Sequence, residues 1–164
     1  MATVVYLGLG SNLGDRAGMI ATALAGLRED GVLTRVVVSG LYETDAVADD
    51  PQPPYLNAVA RGVTTLGAAL LLAGCLKLEA RLGRVRPAGV AKAARVIDLD
   101  LLLFGDAIIQ APPTLVVPHP ALLQRPFVRI PLADVALPGL AHLTTGTDLT
   151  TAPSSPAVRR WLAY

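Results

Sequence analysis

With a single cysteine, Cys75, this chain has no internal disulfide, and so none of the staples on which small secreted domains rely. The expected setting is a reducing cytosol. Cys75 stands among Ala, Gly and Leu, so it reads as a buried packing residue and not as a reactive thiol. Charge is scarce too, at 16% of residues against 52% hydrophobic, the reverse of a disordered composition. Mean hydropathy is +0.51, yet the longest apolar run, "LGAALLLAGCL" from Leu66 to Leu76, falls short of the roughly 20 residues of a bilayer span. The start, "MATVVYLGLG", has no basic stretch before its apolar run and is expected to be a first strand, not a signal peptide. A net charge of +1 argues against a nucleic-acid surface. At 164 residues the chain can bury a core unaided, and one domain over 1–164 is expected.

Lysine is nearly missing, with 2 residues against 12 arginines, and the arginines are not evenly spread. Arg81, Arg84, Arg86 and Arg95 crowd into 15 residues just ahead of "VIDLDLLLFG". A guanidinium is a planar fork that binds phosphate bidentately, so such a cluster beside acids points to anionic substrates.

Periodicity gives the element order. "TVVYLGLGSN" is a β-branched run ending in glycine, and "LGDRAGMIATALAGLRED" carries apolar residues at helical spacing. "LTRVVVSGLYET" reads as one strand and the Asp- and Pro-rich "DAVADDPQPP" as a loop. "YLNAVARGVTT" is a third strand, Leu66–Leu82 a second helix, "GRVRPAGVAKAA" a basic loop, and "RVIDLDLLLFG" a fourth strand. This βαββαβ order predicts an α+β fold of the ferredoxin-like class. Its sheet is mainly antiparallel, with two helices on one face and C-terminal additions. Those additions are a short strand in "AIIQAPPTLVVPHP", a helix at "RIPLADVAL", a loosely held tail from Thr144 to Pro156, and "AVRRWLAY", packing back through Trp161. Gly8, Gly10 and Gly14 are one residue too widely spaced for the dinucleotide fingerprint and are read as a backbone turn.

Asp98 and Asp100 are two residues apart in the fourth strand, so they share a face while Ile97, Leu99 and Leu101 point to the core. A solvated strand face is the ordinary explanation of such a pair. The alternative is a divalent cation between them: Mg²⁺ prefers oxygen and is held by one or two carboxylates plus phosphate oxygens. Cation and clustered arginines together are what a nucleoside triphosphate requires.

At this point the chain resembles a known family. "GRVRPAGVAKAARVIDLDLLLFGD" is similar to the signature of the 6-hydroxymethyl-7,8-dihydropterin pyrophosphokinases. "YLGLGSNLGDR", "YETDAVADDPQPPYLNAV" and "VVPHPALLQRPFVRIPLADVAL" resemble the family's other segments in order, to about Leu137. The resemblance implies pyrophosphoryl transfer from ATP to a pterin alcohol, with two Mg²⁺ ions held by Asp98 and Asp100. Arg84, Arg86 and Arg95 would meet the phosphates. Glu79, His119 and Arg125 would lie on the nucleotide side. Tyr55 and Phe127 would sandwich the pterin, Asn57 would read its edge and Thr44 would line its pocket. The chemistry suits those roles: two aromatic faces hold a flat heteroaromatic ring, and an amide both donates and accepts. Asp45, Leu76 and Lys92 depart from the family pattern, and the remaining histidine, His142, has no role in it.

The small molecules ATP and the pterin are thus the expected partners, with no nucleic acid, membrane or obligate protein partner. Two other classes remain in view. A non-catalytic nucleotide- or pterin-binding module would gain little from two repelling carboxylates. An RNA-binding ferredoxin-like domain would need exposed aromatics on its central strands, where this chain has acids and aliphatics.

Overall fold

A computed structural model describes residues 1–46, 51–85 and 93–162. Its elements are β1 (Thr3–Ser11), α1 (Arg16–Glu29), β2 (Thr34–Val38), β3 (Tyr42–Thr44), β4 (Tyr55–Thr64), α2 (Ala68–Arg81), β5 (Asp98–Phe104), β6 (Ile109–Ala111), β7 (Leu115–Val117), α3 (Pro126–Val135) and β8 (Val158–Arg160). The main sheet runs β5-β1-β4-β3-β8, with β2 also on β4, and its pairings are antiparallel. This is the ferredoxin-like α+β order. The expected second strand is divided: Ser39 and Gly40 interrupt it, and the Val59 N–H donates to the Ser39 hydroxyl at 2.9 Å in place of a regular rung. The predicted short strand after the fourth is a two-stranded hairpin, β6-β7.

Strand alternation sorts the sheet into two faces. Val5, Leu7 and Leu9 of β1, Leu56, Ala58 and Ala60 of β4 and Leu99 and Leu101 of β5 join Ile20, Leu27, Leu71 and Leu78 of α1 and α2 in one core. Tyr6, Val59, Leu102 and Leu103 point the other way, into a second core with Val128, Leu132 and Val135 of α3. Leu102 has no partner in the β1–β5 register, where Tyr6 faces Leu103 and Leu7 faces Leu101. This bulge re-phases β5, so that two consecutive leucines fill the second core. The first core helices therefore lie on one face, as expected, and the C-terminal additions cover part of the other.

Docking of α3 uses polar links as well. The Asp134 carboxylate accepts from the Gly40 N–H at 3.0 Å and the Tyr42 hydroxyl at 2.9 Å. The Arg61 guanidinium caps the Val135 carbonyl at 2.9 Å, satisfying one of the orphan acceptors of a helix end. The tail from Thr144 to Pro156 is not loosely held as composition suggested: Leu149 is buried in the second core, and Arg129 donates to the Asp148 and Thr151 carbonyls at 3.2 and 3.1 Å. Beyond it the chain packs back as expected, with β8 pairing on β3 and Trp161 against the first core.

Cys75 is fully buried, and burial pushes its thiol up to about 12. Because the thiolate is the reactive species, a disulfide-exchange reagent at neutral pH is expected to leave the native chain untouched and to titrate one thiol after denaturation. Prompt reaction of the native protein would contradict the packing.

Candidate active site

The α3 face of the sheet is left open beside α3. Toward the other end of β1 that face carries Gly8 and Gly10, which have no side chain to fill it. Gly8 pairs with Asp100 and Gly10 with Asp98 on one side, while Gly10 pairs with Asn57 on the other. Expectation and structure differ here: Gly8 and Gly10 are strand residues, and of the three glycines only Gly14, at φ +64°, stands in a turn. A loop motif is the wrong test for such a spacing. A two-residue period is also the period of one strand face, and that is the usable signal.

One cavity opens above this glycine floor and a second adjoins it across the two carboxylates. The first, about 350 Å³, is lined by Thr44, Tyr55, Asn57 and Phe127 together with Arg95, Asp98, Asp100 and Arg125. The second, about 260 Å³, is lined by Leu72, Leu76, Glu79, Arg84 and His119 together with the same Arg95, Asp98, Asp100 and Arg125. Both carboxylates therefore stand at the junction of the two. Every predicted site residue within the described part of the chain lines one or the other; Arg86 and Lys92 lie outside the described residues.

Asp98 is clamped by Arg84 and by Arg95, the latter through Nη1 to Oδ2 at 2.7 Å. Arg84 Nη1 also donates to Glu79 Oε1 at 3.2 Å and to the Ile97 carbonyl at 3.1 Å. Asp100 has a looser partner, Arg125 Nη1 at 3.8 Å. Partial desolvation between the two cavities, and then the Asp98 charge, raise the Asp100 carboxyl from its ordinary value. Arg95 and Arg125 each also lie over an aromatic face, Arg95 at 5.7 Å from the Tyr55 centroid and Arg125 at 5.8 Å from that of Phe127. Asn57 donates from Nδ2 to Thr44 Oγ1 at 3.0 Å and to the Tyr42 carbonyl at 3.3 Å, which commits its donors and turns Oδ1 toward Gly10. His119 accepts the Ala121 N–H on Nδ1 at 3.1 Å, and burial lowers its affinity for a proton. The neutral ring then carries its proton on Nε2.

Glu79 does more than line the nucleotide side. Almost fully buried on α2, it accepts the Leu99 N–H at 2.7 Å besides Arg84, so it ties helix, carboxylate strand and arginine together. Glu79→Ala should lower unfolding stability by about 1–3 kcal/mol in a urea titration, because a buried backbone donor loses its acceptor. Glu79→Gln, which keeps an oxygen there, should lose less; equal losses would place the cost in packing.

Asn12, inside the segment "YLGLGSNLGDR" but given no role from sequence, is buried and joins two segments of the site. It accepts the Arg95 N–H at 2.7 Å and donates to Gln52 Oε1 and the Pro53 carbonyl at 3.2 Å each. Nothing in local spacing signals such a bridge. Among the departures, Asp45 acquires a counter-charge, Arg159 at 3.0 Å, and Leu76 gives the second cavity an apolar edge.

The donor set suits a hard cation. Asp98 and Asp100 present oxygens only, on one face, and two carboxylates complemented by phosphate oxygens and water are what Mg²⁺ takes.

Comparison with known proteins gives the family and the fold. Residues 6–137 match the family described as 7,8-dihydro-6-hydroxymethylpterin-pyrophosphokinase (HPPK). The 2-amino-4-hydroxy-6-hydroxymethyldihydropteridine pyrophosphokinase of Methylorubrum extorquens is 41% identical over 134 residues, covering 82% of this chain and 83% of that one. Its Bacillus subtilis counterpart is 38% identical over 135 residues, covering 82% and 79%. The folic acid synthesis protein fol1 of Schizosaccharomyces pombe is 36% identical over 146 residues, covering 89% of this chain but only 19% of that longer protein. A crystal structure of HPPK-DHPS in complex with substrates shares the fold, with a TM-score of 0.61 at 11% identity, over 81% of this chain and 40% of that one. The chain belongs to the 7,8-dihydro-6-hydroxymethylpterin-pyrophosphokinase family.

Proposed function

We propose that this folate-pathway pyrophosphokinase moves the pyrophosphoryl group of ATP onto the hydroxymethyl oxygen of 6-hydroxymethyl-7,8-dihydropterin, with two Mg²⁺ ions held by Asp98 and Asp100. One observation carries the reading: both carboxylates stand at the junction of an aromatic, amide-bearing cavity and a second one lined by arginine and histidine. A flat ring in the first and a polyphosphate in the second would meet beside them.

The chain's own residues do mainly positioning. Tyr55 and Phe127 flank the pterin ring, each face adding about 0.5–1.5 kcal/mol beyond burial. Asn57 Oδ1 accepts from the ring's edge, its donors being held by Thr44 and Tyr42. Arg84, Arg86, Arg95 and Arg125 neutralise phosphate charge, and neutral His119 offers its Nε2 proton on the nucleotide side. Glu79 holds Arg84 in place. Bound Mg²⁺ supplies the charge neutralisation that lets phosphate oxygens approach two aspartates. The pterin oxygen then attacks the β-phosphorus in line. The new O–P bond forms as the bond from β-phosphorus to the AMP oxygen breaks, and the hydroxyl proton passes to solvent. No side chain needs to form a covalent intermediate. Residues 1–164 act in this reading as one domain in the cytosol, serving two small molecules.

The test is to mix the protein with ATP, Mg²⁺ and the pterin and to separate products by chromatography. AMP and pterin diphosphate should appear in equal amounts, only when all three are present. Binding of both substrates without product would favour the non-catalytic module.

A further inference from the structure

Thr44 and Tyr55 are the last register pair of the β3–β4 ladder, and both line the first cavity. Ladder ends open most easily, so whatever holds this pair sets the shape of the pterin side. Two arginines grip the chain on its outer flanks. Arg159 of β8 places Nη2 3.0 Å from Asp45 Oδ1 and 3.6 Å from Glu43 Oε1. Arg16, at the start of α1, places Nη2 2.9 Å from Glu43 Oε2 and donates from Nη1 to the Pro54 carbonyl at 2.8 Å. Asp45 directly follows Thr44, and Pro54 directly precedes Tyr55. Glu43 joins the two guanidinium groups, so both strands are held one residue beyond the pair.

We propose that Arg16, Glu43, Asp45 and Arg159 form a charged clasp that positions Thr44 and Tyr55 for the pterin, which makes the C-terminal strand β8 a working part of the substrate site. The inference rests on the pterin-site reading above. It reaches past the family match, which ends at residue 137. It also gives Asp45 a part, as the second carboxylate for Arg159. A lone exposed ion pair contributes little, and Arg159 and Asp45 are 49% and 80% exposed; the clasp's strength lies in Glu43, which at 24% exposure joins Arg159 to Arg16, itself 22% exposed. Backbone pairing reinforces the clasp: Thr44 faces Val158, and the Trp161 N–H donates to the Leu41 carbonyl at 2.8 Å. Asp45 itself lines the first cavity; Arg16, Glu43 and Arg159 line neither and are positioning residues.

The experiment uses the full chain and three variants, Arg159→Ala, Arg159→Lys and Glu43→Gln. The dissociation constant of 6-hydroxymethylpterin is read by its fluorescence, that of a non-hydrolysable ATP analogue with Mg²⁺ by calorimetry, and the melting temperature alongside. Arg159→Ala and Glu43→Gln should weaken pterin binding by about threefold, the scale of an ion-pair network, with nucleotide binding unchanged. Lysine at position 159 should recover part of the loss. Added salt should weaken the parent's pterin affinity toward that of Arg159→Ala. An unchanged pterin constant in folded Arg159→Ala, or an equal loss for nucleotide, would overturn the clasp. Absence of pterin binding by the parent chain would instead overturn the substrate reading, and the clasp with it.

Discussion

Asp98→Ala and Asp100→Ala are each expected to lower turnover to AMP and pterin diphosphate by more than about 10²-fold, the scale of losing about 2.7 kcal/mol of transition-state stabilisation. The loss should lie in the chemistry and not in the fold. Both side chains are partly exposed, at 23% and 39%, so neither fills the core. Arg84, left without Asp98, keeps Glu79 and the Ile97 carbonyl as acceptors and stays satisfied. Each variant should therefore melt near the parent's temperature while its product formation collapses, and pterin binding alone should survive. Product chromatography at saturating substrates, with melting curves beside it, checks this. Activity within threefold of the parent in both variants would remove the metal assignment, since the remaining carboxylates could not be holding the phosphates' counter-ions.

The second large effect concerns a residue with no side chain. A Cβ at Gly10 would stand 3.5 Å from Asn57 Oδ1 and 3.8 Å from Tyr55 Cδ1, ordinary contact distances, so alanine fits. Leucine at that position would extend into the cavity between the amide and the ring. Gly10→Leu should thus weaken pterin binding by about 10²-fold or more, because a ring cannot share its slot with an isobutyl group. The nucleotide constant should move little, since Gly10 does not line the second cavity. Fluorescence titration of the pterin and calorimetry of the nucleotide analogue separate the two. If both constants shifted together, the glycine would be serving the β1 backbone and not the slot.

Much of the site could be read from local pattern. The aspartates were legible because a strand repeats every two residues, and Ile97, Leu99 and Leu101 do lie in the core beneath them. Tyr55, Asn57, Thr44 and Phe127 were legible only through resemblance, since an aromatic or an amide in a strand carries no local mark of facing a cavity. Leu102 and Leu103 show where the period fails: a bulge inserts one residue, and no run of leucines announces which of them it will be. The broken second strand has a similar cause, with Ser39 supplying a hydroxyl where the ladder lacks a rung.

What the sequence by itself determined was therefore the order of elements, the α+β class and the shared face of Asp98 and Asp100, all consequences of short-range periods of two and 3.6 residues. Tertiary structure decided the partners. Asp98 takes one arginine from 14 residues away and another from 3, while Asp45 takes Arg159 from 114. Electrostatic attraction depends on distance in space and not along the chain. The β3–β8 register brings Arg159 to Asp45, the packing of α2 on β5 brings Arg84 and Glu79 to Asp98, and Gly8 and Gly10 leave the first cavity open beside them.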